Sequence, residues 1–183
     1  ELGFELYIEN KDAKEIYQLI VEEGKNHDLS HCGSHAMDTM RMESGFLHWG
    51  HDISPEENQY EAGLNFAISY KKETNFIGKE SLLKIKEKIQ NRRFIMLSLK
   101  DSKPGTPLLL HEEPIYLGDK IIGRTTSGNY SFNYKKNLSF GYVSSSHSNE
   151  ELSKMDLYIE VAKQKFPVMV EIGPLKDKQA RFL

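Results

Sequence analysis

The chain has 183 residues, 38% hydrophobic and 28% charged, with 24 Lys and Arg against 27 Asp and Glu for a formal net charge of −3. No apolar run reaches the roughly 18 residues of a membrane-spanning helix, the 13 Gly and 6 Pro are scattered too thinly for collagen-like or low-complexity sequence, and 9 Phe, 9 Tyr and 1 Trp are too many for a disordered chain. So small a net charge gives no general attraction for nucleic acid, and the single cysteine, Cys32, excludes an intramolecular disulfide.

The first residue is Glu1 rather than Met, and it runs directly into an alternating pattern, which reads as a fragment of something longer. Residues 2–8 alternate as a strand, with Phe4, Leu6 and Ile8 on one face and Gly3, Glu5 and Tyr7 on the other. Ala13, Ile16, Tyr17, Ile20 and Val21 then keep helical spacing, with Asn10 and Asp12 as candidate caps and Gly24 as a stop. A second helix is expected from about Ser34 to Ser44, closed by Gly45, with Ala36, Met37 and Met40 as its apolar face. Residues 46–62 read as a loop, and 63–68 alternate as a short strand. A third helix is expected from about Lys79 to Gln90, carrying Leu82, Leu83, Ile85 and Ile89 on one side. Its lysines are interleaved with Glu80 and Glu87, the pattern of a solvated face rather than a nucleic-acid patch.

From Arg93 the helical period stops. Arg93–Leu99, Pro114–Leu117, Lys120–Thr126, Leu138–Val143, Met155–Val161 and Pro167–Ile172 read as short strands, with Leu117-Gly118-Asp119-Lys120 as a hairpin turn and Thr126-Ser127-Gly128 as another turn. Six strands at this spacing suggest a small antiparallel barrel or sandwich. The division is therefore an α+β part over residues 1–90 and an all-β part over 91–183.

Isolated motifs carry little chemistry. Five histidines, His27, His31, His35, His48 and His51, lie close together near Cys32, but no zinc signature is complete and Gly33 interrupts the His31/His35 pair, so no metal site is assigned. Cys32 has no nucleophile signature, and Ser127 lacks the Gly-x-Ser-x-Gly elbow. Glu5, Tyr7, Trp49 and Asp52 stand where ligand contacts are plausible.

Several segments in order resemble one family. Glu1-Leu2-Gly3-Phe4-Glu5 matches its Gly-Glu-x-Gly-aromatic-Glu strand from the second position; Met40-Arg41-Met42-Glu43-Ser44-Gly45 matches its Leu-Arg-Leu-Glu-x-Gly helix end; Trp49-Gly50-His51-Asp52-Ile53 matches the loop that follows. Glu61-Ala62-Gly63-Leu64, Phe76-Ile77-Gly78-Lys79-Glu80, Thr126-Ser127-Gly128 and Gly141-Tyr142-Val143 continue the series over nearly the whole chain. The pattern resembles the C-terminal part of the glycine cleavage T-protein (aminomethyltransferase) superfamily, and within it the folate domain of dimethylglycine and sarcosine dehydrogenases.

The resemblance implies the later half of a ferredoxin-like α+β domain followed by an antiparallel β-barrel. It implies tetrahydrofolate-dependent one-carbon transfer, with FAD confined to an absent N-terminal part if there is one. It places Glu5 on the pterin and Phe46 in the same cleft; Tyr7 and Trp49, singled out above by their type and place, are the further cofactor-binding candidates. The position of Met37 holds a folate-contacting Arg in the T-protein, and the family's catalytic Asp lies upstream of this chain, so no catalytic residue is assigned and little catalysis is expected of the fragment alone. The expected partners are a small-molecule folate and the absent N-terminal domains, with neither nucleic acid nor membrane. The expected compartment is cytoplasm in a bacterium or mitochondrial matrix in a eukaryote. The same fold occurs in the regulatory subunit of pyruvate dehydrogenase phosphatase, so a non-catalytic binding module is the alternative.

Overall fold

The computed structural model describes residues 3–88, 90–144 and 146–175. Its centre is a closed barrel of six antiparallel strands, β1 (Arg93–Leu99), β2 (Pro114–Leu117), β3 (Lys120–Ser131), β4 (Lys136–Val143), β5 (Leu157–Val161) and β6 (Gln164–Glu171), in the order β1-β4-β3-β2-β5-β6, with β6 returning to β1. Closure removes free sheet edges. Alternation along β1 sends Ile95, Leu97 and Leu99 inward to pack with Leu109, Ile115, Leu157, Ile159 and Val168. A short helix, α4 (Asn149–Leu152), adds the buried Leu152 to this core; its start is set by a capping box in which Ser148 and Glu151 satisfy each other's backbone N–H groups.

The hairpin expected at Leu117–Lys120 forms, with Gly118 at a φ of +59°. Four strands, β3 to β6, run beyond their sequence-read limits or start elsewhere. The β5–β6 turn is the tight pair Ala162-Lys163, both at positive φ. Such a turn is usually written with Asn or Gly, so the composition gives no sign of it. Thr126-Ser127-Gly128, read as a turn, lies inside β3, where a bulge between Thr125 and Ser127 shifts the register against β4. Beside it, β3 and β4 approach so closely that a Cβ on Gly123 would sit 1.9 Å from the Tyr142 carbonyl oxygen.

The helices outside the barrel are α1 (Ala13–Gly24), α2 (Ser34–Glu43) and α3 (Lys79–Lys86). Asp12 takes the N-cap of α1 without a side-chain cap hydrogen bond. Gly24 is helical rather than a left-handed stop; it is buried because Leu29 folds over it, and a Cβ there would lie 2.5 Å from the Leu29 side chain. The chain turns instead at Asp28, at a φ of +53°.

The apolar face of α2 is not the one expected. Ala36, Met37 and Met40 face solvent, while Thr39, Met42 and Glu43 are buried. Met42 packs with Met96, Leu138 and Phe140 on the outside of the barrel wall, flanked by Leu47, Phe94 and Leu175. The barrel thus buries both faces of β1 and β4 near α2. α3 is shorter than expected and leaves Leu83 exposed; Ile89 lies outside the described residues. Neither strand expected before residue 91 forms among the described residues. Residues 3–8 have no ladder partner and Phe4 is 87% exposed, whereas 63–68 turn as a short 3-10 segment, Asn65–Ala67, after the left-handed Gly63.

Candidate functional site

The end of α2 launches the most structured loop of the amino-terminal part. Gly45, at a φ of +72°, donates its N–H to the Met42 carbonyl at 3.1 Å, and the Phe46 N–H reaches the Arg41 carbonyl at 2.9 Å. This pair of bonds is a Schellman close, which turns the chain sharply off the helix. The loop Phe46–Ile53 then curls on itself. The His48 carbonyl accepts the Asp52 N–H at 2.8 Å, and the Gly50 N–H reaches the Ile53 carbonyl at 2.8 Å.

Asp52 is the hub of this loop, with a side chain wholly removed from solvent. One carboxylate oxygen accepts from Arg41 Nη1 at 2.6 Å and the His48 N–H at 2.9 Å. The other accepts from Thr126 Oγ1 at 2.6 Å and Ser127 Oγ at 2.8 Å. Consecutive strand residues ordinarily point to opposite faces; the bulge in β3 brings these two hydroxyls to one carboxylate. Tyr142 donates its hydroxyl to the Asp52 carbonyl at 2.8 Å. Arg41 is engaged at all three nitrogens, donating also to Asp38 at 2.6 Å, the Phe46 carbonyl at 3.0 Å and Ser127 Oγ at 2.8 Å, with its guanidinium 5.6 Å from the Phe140 ring centre. Arg41 and Glu43, two positions apart in the same motif, have separate partners. Glu43 accepts from Ser131 Oγ at 2.6 Å and Asn133 Nδ2 at 2.8 Å on the barrel.

Two cavities flank the hub. The larger, about 640 Å³, lies between the 50–57 loop and the barrel; its charged groups include the ion pairs Arg92–Glu57 at 2.8 Å and Arg124–Glu112 at 2.8 Å. On its wall, burial and the neighbouring Glu57 carboxylate push the Tyr142 phenol above its ordinary value. Burial works against the ionisation of Glu57, but hydrogen bonds from Ser54 and the charge of Arg92 outweigh it and hold this carboxyl below the usual range. The smaller cavity, about 360 Å³, is walled by Met37, Phe46, Leu47 and Trp49, with Ser34, His35, Asp38, Arg41 and His48 around it.

Of the four binding candidates, Phe46 and Trp49 share the smaller cavity. Glu5 and Tyr7 lie on the exposed 3–8 segment, where the tyrosine hydroxyl donates to the Glu5 carboxylate at 2.5 Å, and neither lines either cavity. Met37 lines the smaller cavity with an uncharged side chain. The histidine cluster spreads out: His31 precedes α2 and bonds the Tyr17 hydroxyl at 2.8 Å, while His48 and His51 lie with ring centres 4.6 Å apart. Among the described residues no three His, Cys, Asp or Glu side chains are grouped to hold a metal ion, and no helix is long and apolar enough to cross a membrane. The residue that sequence reasoning undervalued is Asp52. It stands among the ligand candidates there, but it is enclosed beneath the site, and its partners Thr126 and Ser127 lie 74 and 75 positions away.

A helical segment clamped through a buried carboxylate to a closed six-stranded barrel is a specific architecture, and comparison with known proteins assigns it. A family model described as the GCVT N-terminal domain matches residues 1–72, and one described as the glycine cleavage T-protein C-terminal barrel domain matches residues 92–177. The chain is 35% identical over 148 residues to an aminomethyltransferase of Symbiobacterium thermophilum, covering 81% of this chain and 38% of that protein. It is 34% identical over 179 residues to the mitochondrial dimethylglycine dehydrogenase of Homo sapiens, covering 96% and 20%. It is 32% identical over 183 residues to a formaldehyde-forming 4-methylaminobutanoate oxidase of Paenarthrobacter nicotinovorans, covering 100% and 21%. The crystal structure of the glycine cleavage system aminomethyltransferase T from Bartonella henselae superposes with a TM-score of 0.73 at 20% identity, over 89% of this chain and 44% of that one, a likeness of fold. The chain belongs to the glycine cleavage T-protein (aminomethyltransferase) superfamily. It spans less than half the length of each of these relatives.

Proposed function

We propose that this chain is the C-terminal part of a tetrahydrofolate-dependent one-carbon transfer enzyme, of aminomethyltransferase or dimethylglycine/sarcosine dehydrogenase type, and that the smaller cavity receives the flat ring system of the folate. The observation that carries this reading is the pairing of Phe46 and Trp49 on one apolar wall, over a buried Arg41–Asp52 base. Its volume, about 360 Å³, falls in the range of about 300–1,000 Å³ usual for small-molecule sites. Aromatic rings there favour a planar ligand by offset stacking. Tetrahydrofolate would supply the nitrogens that accept the one-carbon unit; the residues of this chain bind and orient it and keep water from one face.

In this reading Glu5 and Tyr7 join the site from the 3–8 segment, Glu5 by accepting N–H bonds from the aminopyrimidinone ring. The chain's apolar side chains left in solvent before residue 80, among them Phe4, Leu6, Tyr17, Met40 and Phe66, are then covered by the further polypeptide that the relatives carry. A flavin, if the enzyme is of the dehydrogenase type, is bound by that polypeptide too, and the compartment is bacterial cytoplasm or mitochondrial matrix.

The test is calorimetric titration of 5-formyltetrahydrofolate into the protein and into Trp49→Ala, Phe46→Ala and Glu5→Ala variants. Loss of a stacking ring is expected to weaken binding roughly tenfold, about 1.4 kcal/mol. Affinity equal to that of the unaltered protein in all three variants removes these residues from the site. Folded protein that binds no folate at all favours the non-catalytic module instead.

A further inference from the structure

We propose that Asp52 is a positioning residue for the smaller cavity, fixing the Phe46–Ile53 loop and, together with Asp38, offsetting the charge of Arg41, so that the cavity offers its occupant no free cation. The proposal deepens the assignment of a ring-binding site there, but its geometry stands without a ligand. Asp52 holds the loop at two points, through its carboxylate to the His48 N–H and through its own N–H to the His48 carbonyl. His48 is flanked by Leu47 and Trp49, so the cavity's aromatic wall hangs on this pair of bonds.

The charge argument is separate. Arg41 lines the cavity, and an arginine beside a small pocket ordinarily offers its planar fork to a carboxylate or phosphate. Here Nε, Nη1 and Nη2 are all engaged, on Asp38, on Asp52 and the Phe46 carbonyl, and on Ser127. Two carboxylates therefore surround one guanidinium. Asp52 in turn is held in place by the Thr126 and Ser127 hydroxyls, so the barrel sets the electrostatics of a cavity that its strands do not line. An anionic group gains no free cation at Arg41, whereas an uncharged ring loses nothing by entering. The specificity that follows is for the neutral end of a ligand, with any carboxylate tail directed elsewhere.

Trp49, the chain's one tryptophan, reports on this directly. Quenching of its fluorescence by iodide, caesium and acrylamide measures the local charge without any ligand. In the unaltered protein iodide is expected to quench no better than caesium, each relative to free tryptophan and at matched ionic strength. In Asp52→Asn the amide oxygen can still accept from Thr126 and Ser127, but its NH2 faces Arg41 and the His48 N–H, donor against donor. Arg41 is then left with Asp38 as its one carboxylate partner, and the iodide-to-caesium ratio is expected to rise roughly twofold or more, the effect of removing one negative charge a few ångströms away. In the double variant Asp52→Asn/Arg41→Gln the ratio is expected to return to its starting value.

A preference for iodide in the unaltered protein overturns the proposal, and this arm is decided even where Asp52→Asn does not fold. A ratio unchanged in Asp52→Asn, or still raised in the double variant, overturns it as well, since mere loosening of the loop raises acrylamide, iodide and caesium quenching together. Titration with 6-hydroxymethylpterin separates the two readings. No pterin binding with the expected quenching pattern sinks the folate assignment and leaves Asp52 its role; binding without that pattern does the reverse.

Discussion

The barrel and the first thirty-odd residues are both written in ordinary alternating or helical apolar patterns, yet only one of them closes. Ile95, Leu97, Ile115, Val143 and Ile159 are fully buried, whereas Phe4, Leu6, Tyr7, Tyr17 and Leu19 stand in solvent. The difference lies in the partners each pattern meets. Each barrel strand has two neighbours and an enclosed interior, so its apolar side is buried by construction. Residues 3–8 have the same alternation with no neighbour along the backbone among the described residues, and alternation alone supplies no hydrogen-bond ladder. Between them α2 belongs to the barrel: Met42 joins Phe140, Glu43 bonds Ser131 and Asn133, and Arg41 meets Asp52 and Ser127.

The sharpest way to break this comparison is to open the seam that holds α2. Phe140 is wholly buried between the barrel wall and Met42, with the ring of Phe94 5.1 Å away edge-on and the Arg41 guanidinium over its face. Phe140→Ala is expected to cost about 3–5 kcal/mol of unfolding free energy, read by urea denaturation. Because Trp49 follows α2, its fluorescence transition is expected to shift together with the circular dichroism of the barrel. A Trp49 transition that stays in place while the barrel signal moves would mean that the α2 loop is held independently of the barrel.

How far the sequence disclosed this arrangement differs between its levels. The barrel was legible because its strands are separated by turn residues, and period two is a local property: Arg93–Leu99 and Pro114–Leu117 form as read. The end of α2 at Gly45 was legible because a left-handed residue there calls for glycine. The face of α2 was not. Met37 and Met40 look like core by hydropathy, but the helix turns Thr39 and Glu43 inward, where Thr39 donates to the Tyr130 carbonyl and Glu43 accepts from the Ser131 hydroxyl. The site was half legible. The resemblance named Phe46 and the residue-by-residue reading Trp49, and the two line one cavity, while the partners of Asp52 depended on a bulge whose extra residue has no compositional mark. Glu5 and Tyr7 depend on how the 3–8 segment is completed, and no local period records that.

A smaller effect should separate the regions by pH. Glu57 and Glu151 are both held below the ordinary carboxyl value of 4.5, Glu57 against the pull of burial by Ser54 and Arg92, and Glu151 by the backbone and hydroxyl of Ser148. In acid the unfolded chain binds these protons before the folded one does. Their contribution is therefore complete above the unfolded value and is lost as pH falls through the folded one. Stability is expected to decline as pH drops below about 4.5, and Glu57→Gln is expected to flatten that decline, as measured by thermal unfolding from pH 6 to pH 3. A slope unchanged by Glu57→Gln would detach the Arg92 pair from the stability of the fold.

The smallest expected effect is also the most direct check on the unpartnered segment. Phe4→Ser and Leu6→Ser remove apolar side chains that are already 87% and 62% exposed, so there is little buried area to lose. The expected change in unfolding free energy is within about 0.5 kcal/mol, as for surface substitutions generally, against the several kcal/mol expected at Phe140. The same two changes should reduce nonspecific association of the protein, measured by light scattering, because they remove the alternating apolar row that other chains could pair with. A loss of more than about 1 kcal/mol would exceed what exposed positions contribute and would show that residues 3–8 pack against the rest of the chain in solution. Phe4 and Leu6 would then belong with Phe140, as parts of one finished core.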